Sequence, residues 1–130
     1  MSIGASLAWA HARDEPRGKK PALNLRATPR IAFSPVTVFL LAELEGGDDV
    51  EQFYCPEIVW EWGDGSKSVQ ESDCAPFQEG VSKIERHYTA EHLFRRGGNY
   101  SISATLLRVG KRVAKADVSV AIRPGIGNPR

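Results

Sequence analysis

The chain has 130 residues, of which 42% are hydrophobic and 25% charged, enough apolar content for one core and too much for a wholly disordered polypeptide. Its 17 Lys and Arg against 16 Asp and Glu leave a net charge of +1, so the basic excess typical of a nucleic-acid binder is missing. No apolar run approaches the roughly 20 residues that a membrane-spanning helix needs.

Residues 1–12 are mostly small or apolar and finish in Ala10-His11-Ala12, just ahead of Arg13-Asp14-Glu15. Small residues at both ends of that triplet fit a signal-peptidase site; the short apolar stretch, with no Lys or Arg before it, fits an unstructured leader. Both readings stand at this level. Residues 13–21 combine Pro, Gly, Lys and Arg without apolar periodicity and read as a flexible linker. Residues 124–130 are similar, which leaves residues 22–123 as the expected folded body.

Inside that body the dominant period is two. Leu23, Leu25 and Ala27 alternate with Asn24, Arg26 and Thr28, which predicts a first strand. Pro29 and Pro35 bracket Ile31 and Phe33, an arrangement suited to an edge or a bulge. Residues 36–44 are rich in β-branched and apolar side chains and predict a buried strand, closed by the turn signal Gly46-Gly47-Asp48-Asp49. Ile58, Trp60 and Trp62 then share one face, with Val59 and Glu61 on the other. Gly63-Asp64-Gly65 reverses the chain, because glycine accepts positive φ and Asp can bond the backbone beyond it. A further strand is expected over residues 83–88, and one helical turn near residues 89–93. Tyr100, Ile102, Ala104 and Leu106 alternate with Ser101, Ser103 and Thr105; Gly110-Lys111 makes a hairpin. Residues 113–122 return as the last strand, with Val118, Val120 and Ile122 inward. About seven strands, spaced by turn signals near every ten residues, predict an all-β antiparallel sandwich.

Cys55 and Cys74 are the only cysteines. A structural zinc needs four ligands, and His11, His87 and His92 are not spaced around the pair to complete one. A disulfide or two buried thiols remain. The disulfide is the expectation, since both cysteines flank one strand-and-turn unit. It would close a loop of about 20 residues, contribute about 3 kcal/mol, and persist in an oxidising compartment. That points to a secreted, periplasmic or cell-surface location.

The order Trp60-Glu61-Trp62-Gly63-Asp64-Gly65, then His92-Leu93-Phe94, then Gly98-Asn99-Tyr100-Ser101-Ile102 resembles the PKD domain family. Its members carry a W-x-F-G-D-G-like strand end, then H-x-Y, then P-G-x-Y-x-V. Here Trp62 replaces Phe, Phe94 replaces Tyr, Ile102 replaces Val, and Gly97 stands where proline is common. The resemblance runs over roughly residues 22–122. It implies an immunoglobulin-like sandwich of the kind found in surface proteins and beside the catalytic domains of secreted enzymes, making contacts or spacing and not catalysing reactions. Physically, Trp60 and Trp62 would cover the interior. Tyr100, just after Gly98, sits where a tyrosine-corner hydroxyl could reach upstream backbone, with His92 a hydrogen-bonded residue nearby.

No reaction centre stands out, and neither a catalytic residue nor a cofactor is expected. Asp64 between glycines reads as a turn-closing side chain. Asp64 and His92 have no activated nucleophile beside them, and Ser66 lacks the strand-to-helix setting of a nucleophile elbow. Glu43, Glu45, Asp48, Asp49 and Glu51 could offer oxygen ligands to Ca²⁺, without EF-hand spacing; a solvated turn is the preferred reading. Arg95, Arg96, Lys111 and Arg112 read as scattered surface cations. Phe53, Tyr54 and Phe77, outside the predicted core and close to the cysteine pair, form the candidate partner-binding patch. The leading expectation is a non-catalytic extracytoplasmic module that meets a protein or cell-surface ligand or acts as a spacer. The alternative is an accessory carbohydrate-binding module of a secreted hydrolase.

Overall fold

The structure, a computed structural model, describes residues 18–125. The expected leader and the last residues of the tail lie outside the described residues. Eight strands follow one another: β1 Ala22–Thr28, β2 Ile31–Phe33, β3 Val36–Glu45, β4 Glu57–Glu61, β5 Lys67–Gln70, β6 His87–Phe94, β7 Gly98–Arg108 and β8 Lys111–Arg123. Helix among the described residues is confined to a 3₁₀ turn at Glu51–Phe53. No helix there is long and apolar enough to cross a membrane.

The strands form two sheets, β1-β3-β6 and β2-β8-β7-β4-β5. Pairing is antiparallel except for β2 with β8, which is parallel. This exception to the expected antiparallel sandwich has a simple cause. Between Thr28 and Ile31 the chain crosses from one sheet to the other without reversing, passing Pro29, so β2 continues the direction of β1 beside β8. Proline at this point has no N–H to lose from a ladder.

Alternation places Val38, Leu40, Ala42 and Leu44 of β3 inside, facing Ile58, Trp60, Ile102, Ala104, Leu106, Val120 and Ile122 from the other sheet. Trp60 lies across from Ala104 in the β4·β7 register, so a small residue leaves room for the indole. Val118 is half-buried at the margin. This inward set excludes water from both tryptophans, which are 0% and 1% exposed.

Two stretches differ from the sequence expectation. The strand expected at residues 83–88 lies at His87–Phe94, and residues 89–93 are extended, not helical. Tyr88 and Phe94 sink into the core with Ala90 and His92 half-buried between them, a period of two that pairs with β3 along its length. The second stretch, β5, adds an edge strand whose residues are exposed or half-buried, so it carries little apolar pattern.

The chain enters and leaves at opposite poles. Lys19 N–H donates to Asp48 Oδ2 at 2.8 Å, and Asp48 N–H returns a bond to the Lys19 carbonyl at 2.8 Å, fastening the entering strand to the turn after β3. At the other end Ser34 N–H donates to the Arg123 carbonyl at 2.7 Å, and Gly125 N–H donates to Ser34 Oγ at 3.2 Å. Ten residues of β3 lie between these points, a separation of about 34 Å at strand rise.

Candidate functional site

The Trp-Gly-Asp-Gly segment continues β4 beyond Glu61 into a reversal. Trp62 N–H donates to the Ser66 carbonyl at 3.1 Å, while Gly63 and Gly65 take φ of +84° and +94°. Gly63 is doubly required: a Cβ there would come within 2.6 Å of the Ser101 carbonyl oxygen. The turn therefore fits flush against β7, and only glycine allows both the angle and the approach.

Asp64 stands at the centre of a clamp between the two sheets. Its Oδ1 accepts from Ser66 N–H at 3.0 Å and from the Ser66 hydroxyl at 2.5 Å. Its Oδ2 lies 2.8 Å from His92 Nε2 on β6, in the opposite sheet. Burial pushes the carboxyl up, but the Ser66 and His92 hydrogen bonds outweigh it and hold the pKa down at about 2. An ionised carboxylate can only accept, so His92 Nε2 carries the proton of that bond. The His92 ring lies parallel to Trp62, with centroids 4.7 Å apart, and meets the Phe94 ring edge-on at 4.7 Å. Phe94 in turn packs against Tyr100 at 4.5 Å. The Tyr100 hydroxyl donates to the Arg96 carbonyl at 2.8 Å, closing the corner before β7. The indole N–H of Trp62 donates to Ser68 Oγ at 3.0 Å.

This geometry suits holding, not catalysis. In a nucleophilic triad the imidazole sits between hydroxyl and carboxylate so that it can take the hydroxyl proton. Here the carboxylate sits between hydroxyl and imidazole, and with a pKa near 2 it is a poor base at neutral pH. The clamp does make stability depend on pH. The folded pKa of Asp64 is below the ordinary aspartate value of 3.8, so its ionised form contributes stability that is complete above that value and is lost as pH falls through about 2. Urea midpoints measured from pH 5 to 2 are expected to fall less steeply in Asp64→Asn than in the parent. Parallel slopes for the two proteins would rule out the clamp as a source of acid sensitivity.

The cysteines form a disulfide, Cys55 to Cys74, with Cα atoms 6.1 Å apart. It ties residue 74, in an irregular segment between β5 and β6, to a position two residues ahead of β4. Of the three aromatics placed beside it by sequence, Phe53 is not on a surface: it is 2% exposed, because the 3₁₀ turn directs it into the core. Tyr54 and Phe77 are half-buried against each other, centroids 5.2 Å apart in an edge contact. The Tyr54 hydroxyl donates to the Ala75 carbonyl at 2.6 Å, and the Arg108 guanidinium lies 5.5 Å from its ring centroid. These two rings thus anchor the disulfide-bearing segment. Among the described residues the exposed aromatics are elsewhere: Phe33 at 59% and Phe39 at 54%. Phe39 sits in a strand that reads from sequence as buried, and its outward position follows from the period of two in an open sheet.

The acidic residues are each engaged separately. Glu43 meets His87 at 3.1 Å, Glu45 accepts from Asn24 at 2.7 Å, and Asp48 accepts from Lys19. Asp49 accepts from Ile84 N–H at 3.0 Å, and Glu51 lies 3.9 Å from Arg108. Among the described residues no group of three or more His, Cys, Asp or Glu is placed to hold a metal ion.

Comparison with solved structures places this architecture. The PKD domain of an M14-like peptidase from a Thermoplasmatales archaeon superposes with a TM-score of 0.53 at 16% identity, covering 81% of this chain and 98% of that one. The fold is that of a PKD-like immunoglobulin-type sandwich. A CARDB domain from Pyrococcus furiosus, solved in complex with di-metal ions, matches with a TM-score of 0.51 at 8% identity, over 82% of this chain and 97% of that one. No protein-family model matches the chain, and no curated protein matches it significantly. At these identities the likeness concerns fold alone.

Proposed function

We propose that the chain is a non-catalytic, extracytoplasmic PKD-like module, residues 22–123, that spaces or docks the parts of a larger assembly. The observation that carries this reading is the polar arrangement of its ends: the chain is fastened at Asp48 where it enters and at Ser34 where it leaves. A rigid two-sheet body between those points separates whatever is attached to them by its own length. The disulfide supports an oxidising location. The motif residues Trp60, Trp62, Asp64, His92 and Tyr100 serve the fold and leave the outer faces for contact.

A second reading, an accessory carbohydrate-binding module, is supported by Phe39. That ring is exposed and lines an open apolar hollow with Arg26, Thr28, Thr89 and Glu91, so a sugar ring could stack on it while polar groups flank it. Two assays test these readings. Purified protein is expected to turn over neither activated esters nor peptides; a turnover that Asp64→Asn or His92→Ala abolishes would overturn the non-catalytic reading. Retention on insoluble polysaccharides, lost in Phe39→Ala, would replace the spacer reading with the second.

A further inference from the structure

Arginines from three separate stretches of the chain are gathered at the end where it leaves the sandwich. Arg123 ends β8 and lies beside Phe33 of β2 in the parallel register. Arg95 and Arg96 belong to the turn into β7, which packs on the exit segment: a Cβ on Gly97 would come within 2.9 Å of the Pro124 ring. Arg30 precedes β2. Its carbonyl accepts from Ala121 N–H at 2.8 Å, and its Nε donates to the Ser119 carbonyl at 3.4 Å. All four arginines are exposed, and among the described residues none of them has an ion pair. Asp64, the carboxylate of a neighbouring turn, is already taken up by Ser66 and His92. Lys111 and Arg112 do not join this group, because they follow the hairpin at the far end of the eleven-residue β7.

The same end carries apolar surface. Val120 and Ile122 of β8 point into the core, so Ala121 and Arg123 face outward from the five-stranded sheet. Their partners in β2, Ile31 and Phe33, face the same way and are 67% and 59% exposed. Arg30 flanks this pair at the start of β2, and Arg123 flanks it at the end.

We propose that this end of the sandwich docks on an anionic lipid bilayer, with Ile31 and Phe33 entering the boundary below the headgroups and Arg30, Arg95, Arg96 and Arg123 meeting lipid phosphates. The composition of the surface selects this occupant. Cations draw a protein to an anionic leaflet, and apolar side chains beside them gain by entering its acyl boundary. A soluble acidic polymer would match the arginines and leave Ile31 and Phe33 in water. A second copy docked through the same face would set four unpaired arginines against four. An anionic bilayer uses both sets of side chains. The pole at Asp48 then points away from the membrane. This inference goes beyond the spacer reading and holds or fails without it.

Co-sedimentation of the full chain with vesicles tests it, comparing phosphatidylcholine alone with a mixture containing phosphatidylglycerol. Binding to the anionic vesicles is expected, falling as salt rises, with none to phosphatidylcholine alone. Arg95→Glu/Arg96→Glu is expected to weaken it at least about 25-fold, from about fivefold per cation lost. Ile31→Ser/Phe33→Ser keeps every charge and is expected to weaken it on the order of tenfold. Lys111→Glu/Arg112→Glu makes the same charge change more than a Debye length away and is expected to stay within about twofold of the parent. Circular dichroism reports whether each variant is folded. A parent that ignores anionic vesicles overturns the proposal, and so does equal weakening by the two charge reversals. Full binding by the serine variant overturns it too, and would assign the arginines to a soluble acidic polymer.

Discussion

Replacing Trp60 by alanine is expected to lower the unfolding free energy by about 3–5 kcal/mol. The side chain is 0% exposed and occupies the layer between the sheets, opposite Ala104. An alanine at 104 cannot grow into the space, and Trp62 is held in place by its bonds to Ser66 and Ser68. The cavity would therefore stay largely open, which sets the cost at the upper part of the range. Since domains of this size commonly have about 5–15 kcal/mol in total, the variant should melt far earlier. Trp60→Phe discriminates between packing and polarity. The Trp60 indole N–H is buried and has no hydrogen-bond partner, so phenylalanine removes volume and also removes an unsatisfied donor. Its cost is expected to be well under half that of alanine, measured by urea denaturation at neutral pH. Equal losses for the two variants would mean that the ring's volume is not what holds this part of the core.

How far the sequence reveals these features depends on whether a residue's neighbours in the chain are also its neighbours in space. β7 and β8 alternate apolar with polar residues and β3 and β4 are dense in apolar ones, so 38–44, 58–62 and 102–106 announce themselves as strands. β6 does not, because two of its four inward positions are Ala90 and His92, which carry no hydrophobic signal. His92 is inward because Trp62 and Phe94 pack on its ring and Asp64 binds its nitrogen, and those partners come from other parts of the chain. The family-like motif supplied the link that periodicity could not. Phe53, placed outside the core with Tyr54 and Phe77, is buried for the opposite reason. Nothing local distinguishes an aromatic that a 3₁₀ turn carries inward from one that it leaves outside.

Reduction of Cys55–Cys74 is expected to cost about 3 kcal/mol, the chain-entropy value for a bridge with a sequence separation of 19. The effect should be nearly full-sized because the closed loop has few other means of ordering its far end. Residues 71–86 form no strand, and Ile84 is the buried apolar side chain there. The other restraints are single hydrogen bonds, such as Tyr54 to Ala75 and Ile84 to Asp49, each worth about 1 kcal/mol. Without the bridge the unfolded chain gains freedom, while in the folded protein both sheets keep their ladders, which involve neither cysteine. Denaturant unfolding with reductant should show a lower midpoint and a larger slope, since the unlinked chain exposes more surface. A Cys55→Ala/Cys74→Ala protein should match the reduced parent and ignore reductant. Cys55 already has a φ of 52°, so alanine inherits the same backbone strain and the comparison isolates the link itself. Two reactive thiols in denatured, unreduced protein would remove the bridge, and with it the strongest support for an oxidising location.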